Sequence, residues 1–114
     1  MPRVTILILT WNALEYTQGC LDSIRKHTRL DPHIQVLVVD NGSTDGTQAY
    51  LREQDWIRLI ENRKNLGFVR GNNVGIAATP DGDVFLLNND IVLQHDYWLE
   101  ELQSVAYTGD AIGI

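Results

Sequence analysis

A chain of 114 residues that is 44% hydrophobic and 21% charged has the apolar material for one packed domain, and its composition excludes a disordered or low-complexity polymer. Fifteen acidic against nine basic residues give a formal charge of −6, which argues against a nucleic-acid binder that neutralises phosphates with lysine and arginine. The single cysteine, Cys20, excludes a disulfide framework and multi-cysteine metal centres.

The apolar run at 4–9 is far shorter than the roughly 20 residues a membrane-spanning helix needs, and it lacks the cleavage site of a secretory signal. The expected location is therefore cytoplasmic, compatible with the inner face of the membrane in a full-length protein. Residues 3–10 (RVTILILT) are β-branched and apolar, as suits a strand buried on both faces of a parallel sheet. Apolar positions Leu14, Leu21 and Ile24 then recur at helical spacing. Glu15 follows Asn12 by three residues, so a capping box and a helix over 13–26 are expected.

The pattern repeats. Residues 34–39 (IQVLVV) read as a second strand that ends in a polar turn at 40–46, before a helix over 47–54. A third strand is expected at 57–60 and a glycine-rich helix at 67–78. A fourth strand follows at 83–87 and a last helix at 96–106. Strands alternating with helices predict a single α/β domain spanning 1–114, with a doubly wound, mainly parallel sheet and helices on both faces. In such sheets ligands gather outside the carboxyl ends of the strands. Thr10-Trp11-Asn12, the run from Asp40 to Asp45, and Asn88-Asn89-Asp90 all fall there.

Asp40 directly follows an apolar strand, so its carboxylate stands on a rigid base where it can accept a base N–H or a ribose hydroxyl. A polar turn with a helix cap explains the same run equally well. An EF-hand loop is excluded, because counting from Asp40 places Gly42, Thr44 and Asp45 where two oxygen ligands and the glycine belong. In Asn88-Asn89-Asp90 the first and third residues can offer oxygen to magnesium or manganese, and such a cation would bridge a diphosphate. Taken alone, that tripeptide reads more readily as a turn.

Gly67, Gly71 and Gly75 recur every four residues, which fits close packing of a helix on the sheet better than ligand contact. The spacing matches neither a P-loop nor a dinucleotide-binding fingerprint. Arg70, Asn72 and Asn73 are the stronger ligand candidates on that segment. Trp11 is a candidate for stacking on a base or sugar, although rim packing is the more common role of such a residue. Trp56 and Trp98 read as packing residues, and His27, His33 and His95 as scattered surface residues. Arg63 and Lys64 are loop cations that solvate or meet a phosphate.

Together, VTILILTWN at 4–12, VLVVDNGSTDGT at 36–47, NLGFVRGNNVGI at 65–76 and FLLNNDIVL at 85–93 resemble the family-2 glycosyltransferases of the GT-A fold, motif by motif and in order. Members resembling rhamnosyltransferases, with a Trp-Leu pair matching Trp98 and Leu99, look closest. The resemblance implies a nucleoside-diphosphate sugar as donor, a divalent cation (Mn or Mg), and a glycan, lipid or other hydroxyl compound as acceptor, with transfer by inversion. It further implies that Thr10 and Asn12 contact the nucleoside and that Asp40 reads the base. Gly67 and Asn73 match the third motif, in which many relatives carry arginine where this chain has Asn72. The resemblance also implies that Asn88 contacts ribose or diphosphate and that Asp90 binds the metal.

Family members carry the catalytic base well beyond the metal motif. The expectation is accordingly a donor-binding N-terminal part of a larger transferase domain, with the base beyond Ile114, inactive alone and prone to self-association through an open sheet edge. A non-catalytic nucleotide-sugar-binding module and a sugar-phosphate nucleotidyltransferase are the alternatives. The latter ranks last, because Trp11-Asn12-Ala13 lacks the glycine- and basic-rich loop such enzymes carry after the first strand.

Overall fold

The computed structural model describes residues 3–29, 32–94 and 96–100. Four strands, β1 (Val4–Thr10), β2 (Ile34–Asp40), β3 (Arg58–Glu61) and β4 (Asp83–Asn88), alternate with three helices, α1 (Leu14–His27), α2 (Thr47–Arg52) and α3 (Phe68–Ala77). All strand pairs are parallel, in the order β3-β2-β1-β4.

Period-two alternation in each strand sorts the core into two layers. Ile6, Ile8, Val36, Val38, Phe85 and Leu87 point to one face, where they pack with Cys20, Leu21 and Ile24 of α1 and Leu51 of α2. Leu7, Leu37 and Val39 point to the other, joined by Leu9, Ile60, Val84 and Leu86. That second face carries α3, because a Cβ placed on Gly75 would lie 2.5 Å from Leu7 Cδ1 and 3.1 Å from Val39. Right-handed crossovers account for the sidedness. Through α1 and α2 the chain winds outward from β1 to β3. Through α3 it returns to the opposite edge of β1, so the winding reverses between β1 and β4. Beyond the carboxyl ends of that pair a crevice opens.

The doubly wound parallel architecture is as expected, with boundaries shifted by one or two residues. Asp40 and Asn88 are the last residues of their strands, in register with Thr10 and Leu9 respectively. Gly67 is not helical: with φ 86° and ψ 171° it caps α3 from outside. The helix α2 stops at Arg52, where the Gln54 side chain folds back onto the Tyr50 carbonyl at 3.1 Å.

The capping box at Asn12 does not form. Asn12 and Ala13 are both left-handed, with φ of 54° and 55°, and the cap position of α1 falls to Ala13, which makes no side-chain bond. The free N–H of Leu14 is instead taken at 3.3 Å by Asp45 Oδ2 from the β2–α2 loop.

The expected last helix is seen only at 98–100, and its remainder lies outside the described residues. His27, expected at the surface, pairs with Asp96 at 2.7 Å, and Trp98 Nε1 donates to Thr28 Oγ1 at 2.7 Å. These bonds dock the 96–100 segment on the end of α1. His95 lies outside the described residues. Among the described residues, no helix is long and apolar enough to cross a membrane.

Candidate functional site

The three polar strand tips lie side by side because the register forces them to: Thr10 pairs with Asp40, and Leu9 with Asn88. Asp40 has no solvent exposure. Its carboxylate accepts the Ser43 hydroxyl, the Ser43 N–H at 3.1 Å and Gln48 Nε2 at 3.1 Å. Buried carboxylates persist only when so satisfied. The Ser43 hydroxyl in turn accepts the Asn12 N–H at 2.7 Å, and Asn12 Oδ1 accepts the Thr44 N–H at 2.8 Å. The β1–α1 and β2–α2 loops are therefore laced into one block. Asp45 completes it. The Thr47 hydroxyl, the Thr47 N–H and the Leu14 N–H hold its carboxyl below the usual carboxylate range.

A second lacing holds the Asn88-Asn89-Asp90 turn. Thr10 Oγ1, itself buried, shares a 2.7 Å hydrogen bond with Thr17 Oγ1 of α1. Asn89 Nδ2 donates to both hydroxyls at 3.4 Å. Beneath the turn, the fully buried Cys20 lies 3.7 Å from the Asn88 carbonyl. Burial, and secondly the negative charge of Asp90, push its thiol up to about 12. Cys20 is a packing group here and no thiolate nucleophile.

Where β1, β4 and the start of α3 meet, a pocket of about 490 Å³ opens, lined by Leu9, Phe68, Asn72, Leu86, Leu87, Asn88, Asn89 and Asp90. Its floor is apolar, and its polar groups are three asparagines and one carboxylate. That is the usual make-up of a small-molecule site, with a few placed polar groups on an apolar surface.

Of the residues expected at the site, Asn88 and Asp90 line the pocket and are solvent-exposed. Thr10 Oγ1 and Asn12 Oδ1 are instead engaged in the hydrogen-bond network beside it. Asp40 is buried under its own turn. Gly67 and Asn73 are exposed and outside the lining, each next in sequence to a lining residue, Phe68 and Asn72, and a Cβ on Gly67 would meet nothing within 4 Å. Trp11 is half-exposed outside the lining, and Arg63 and Lys64 are exposed loop cations.

Sequence reading missed Phe68. It is 68% exposed in the first turn of α3 and forms a wall of the pocket. A helical period places it one turn before Asn72, which was legible, but its exposure was not.

No group of three or more His, Cys, Asp or Glu side chains among the described residues forms a metal cluster. The donors at the pocket are nonetheless all oxygen: the Asp90 carboxylate and the amide oxygens of Asn88 and Asn89. Such a set fits a hard cation that is held by one or two carboxylates and completes its shell with water and substrate phosphate, as magnesium commonly does.

Comparison with known proteins places this geometry. The sequence profile described as Glycosyl transferase family 2 matches residues 5–114. Glycosyltransferase AglE of Haloferax volcanii is 30% identical over an alignment that takes in 99% of this chain and 39% of that protein. A teichoic acid poly(glycerol phosphate) polymerase of Staphylococcus epidermidis is 32% identical across 95% of this chain and 14% of its own length.

Among solved structures, the mannosyltransferase PcManGT of Pyrobaculum calidifontis, in complex with GDP-Man and Mn2+, superposes with a TM-score of 0.80. It is 25% identical and is covered over 33% of its chain. TarS of S. aureus in complex with UDP-GlcNAc shares the fold with a TM-score of 0.77 at 21% identity. The chain thus spans well under half the length of these relatives. With the family profile covering nearly the whole sequence and the doubly wound sheet that the GT-A resemblance implied in place, the chain belongs to glycosyl transferase family 2.

Proposed function

We propose that this domain binds a nucleoside-diphosphate sugar with a divalent cation and presents the sugar for transfer, with inversion, to the hydroxyl of an acceptor. The observation that carries the reading is the pocket at the winding reversal, where one exposed carboxylate and three amides face an apolar floor. Family membership supports it, as does the GDP-Man and Mn2+ complex of a structural relative.

In this reading Asp90 holds the cation, Asn88 meets ribose or diphosphate, and Asn72 and Phe68 close the opposite wall. Gly67 and Asn73 meet the part of the donor that extends past the pocket mouth. Thr10, Asn12 and Asp40 act one step back, by fixing the loops on which the donor lies. A cation held by Asp90 would supply positive charge to stabilise a departing nucleoside diphosphate at a pocket whose described lining has no Lys or Arg. Inverting transfer also needs a base for the acceptor hydroxyl. Asp90, the one carboxylate among the described residues that line the pocket, is committed to the cation, so this reading assigns the base to no described residue.

A thermal-shift titration with UDP-, dTDP- and GDP-sugars in manganese tests the reading. At least one nucleotide sugar should raise Tm in the presence of Mn2+, and Asp90→Ala should abolish the rise. A folded protein indifferent to all of them would overturn it.

The single pocket carboxylate also favours a second reading, a non-catalytic nucleotide-sugar-binding module. Sugar transfer by the domain, lost in Asp90→Ala, would remove that reading.

A further inference from the structure

Asn41 follows β2 directly and is 2% exposed. Its backbone N–H donates to the Thr10 carbonyl at 2.8 Å, extending the β1–β2 ladder by one bond. A primary amide offers two N–H donors and an oxygen with two lone pairs. In Asn41 all four are used. Nδ2 donates to Asn65 Oδ1 at 3.0 Å and to the Gly67 carbonyl at 3.2 Å. Oδ1 accepts from Asn62 Nδ2 and from the Leu66 N–H, each at 3.1 Å.

Every one of these partners lies in 62–67, the segment between β3 and α3. With its amide saturated, Asn41 has nothing left to offer a ligand and a firm hold on that segment.

Two glycines from different motifs clear the space around it. A Cβ on Gly42 would lie 2.9 Å from the Lys64 backbone, and one on Gly71 would lie 3.0 Å from Asn41 Nδ2. The 62–67 backbone and the first turns of α3 can therefore close onto the amide from two sides. Directly after this segment come Phe68 and Asn72, the α3 wall of the pocket.

We infer that Asn41 is a positioning residue: by gripping 62–67 it seats the start of α3, and with it Phe68 and Asn72, against the donor pocket. What this seating serves rests on the proposed function; the grip itself does not. The amide is required specifically, because an aspartate of the same shape would turn an oxygen toward two acceptors, Asn65 Oδ1 and the Gly67 carbonyl. Such a pair of opposed acceptors is repulsive where an N–H had been bonded.

Asn41→Asp and the milder Asn65→Ala are compared with wild type in two measurements. The first is amide hydrogen exchange, read at Leu66 and Gly71 with Ile8 in β1 as the internal control. The second is calorimetric binding of UDP-GlcNAc and GDP-mannose with Mn2+. In Asn41→Asp, exchange at Leu66 and Gly71 should quicken at least tenfold relative to Ile8, and donor affinity should fall at least tenfold. Asn65→Ala, altered at an exposed residue, should show the same pattern about threefold, and it decides the matter if Asn41→Asp does not fold.

Wild-type exchange at Leu66 and Gly71 in a folded Asn41→Asp, or unchanged donor affinity in both variants, would overturn the positioning role. Failure of the wild-type protein to bind either sugar, together with indifference to every nucleotide sugar in the thermal-shift titration, would overturn the functional reading, and the exchange measurement would still decide whether Asn41 holds the loop.

Discussion

Asp40 shows why residue type and position are legible in a sequence while direction is not. Its place at the tip of a buried strand followed from the apolar run before it. Whether the carboxylate faces a ligand or its own turn depends on Ser43 and Gln48 closing over it, which no spacing rule encodes. Replacing a satisfied buried acceptor leaves donors unpaired and costs about 1–3 kcal/mol. Asp40→Asn should accordingly lower the urea midpoint of unfolding by that equivalent, with little change in slope.

Cys20 makes a second prediction at this scale. Its pKa rises from 9.0 in the ordinary thiol to about 12 in the fold, mainly through burial. Between those values the unfolded chain has lost the proton and the native chain keeps it. The unfolded state then binds fewer protons, so stability falls as pH rises from about 9 toward 12. Comparing urea unfolding at pH 7 and pH 10 should show a larger loss in wild type than in Cys20→Ala, which has no thiol to ionise. At neutral pH the native thiol should resist alkylation.

At the scale of elements, periodicity located all four strands and the three complete helices to within a residue or two, because strong apolar patterns leave few ways to bury themselves. The helix start at α1 was misread for an instructive reason. A capping box is a local pattern, and here a neighbouring loop outcompetes it: Asp45 reaches Leu14 while Asn12 is drawn to Thr44.

The glycine repeat, by contrast, was legible as packing. A Cβ at Gly75 would collide with Leu7, 1% exposed and fixed in the second core layer. At Gly71 the nearest atoms are Cδ1 of the pocket-lining Leu9, at 2.8 Å, and Asn41 Nδ2 at 3.0 Å, in the amide that grips 62–67. Overpacking a closed core costs about 1–3 kcal/mol. Gly75→Ala and Gly71→Ala should both fall in that range by chemical denaturation, and Gly71→Ala, beside the pocket and Asn41, should disturb ligand binding more.

For the whole molecule, topology did most to reveal the site. The strand order β3-β2-β1-β4 comes from the structure, and with right-handed crossovers it puts the crevice between β1 and β4 whatever role each residue has. Within that crevice, Asn88 and Asp90 were readable because they fall at the tip of β4, Asn88 as its last residue and Asp90 in the turn that follows. Phe68 was not, since only the seating of α3 turns it toward the pocket.

In the proposed reading the polar groups fall into two classes: Thr10, Asn12, Asp40 and Asn41 build the frame, and Asn72, Asn88 and Asp90 face the ligand. Paramagnetic broadening of amide resonances by Mn2+, in the presence of a nucleotide sugar, tests that division most directly. Broadening centred on Asn88, Asn89 and Asp90, extending to Phe68 and Asn72 and absent in Asp90→Ala, is the expected result. Broadening centred on other carboxylates such as Asp45 or Glu61, or unaffected by Asp90→Ala, would contradict the central claim.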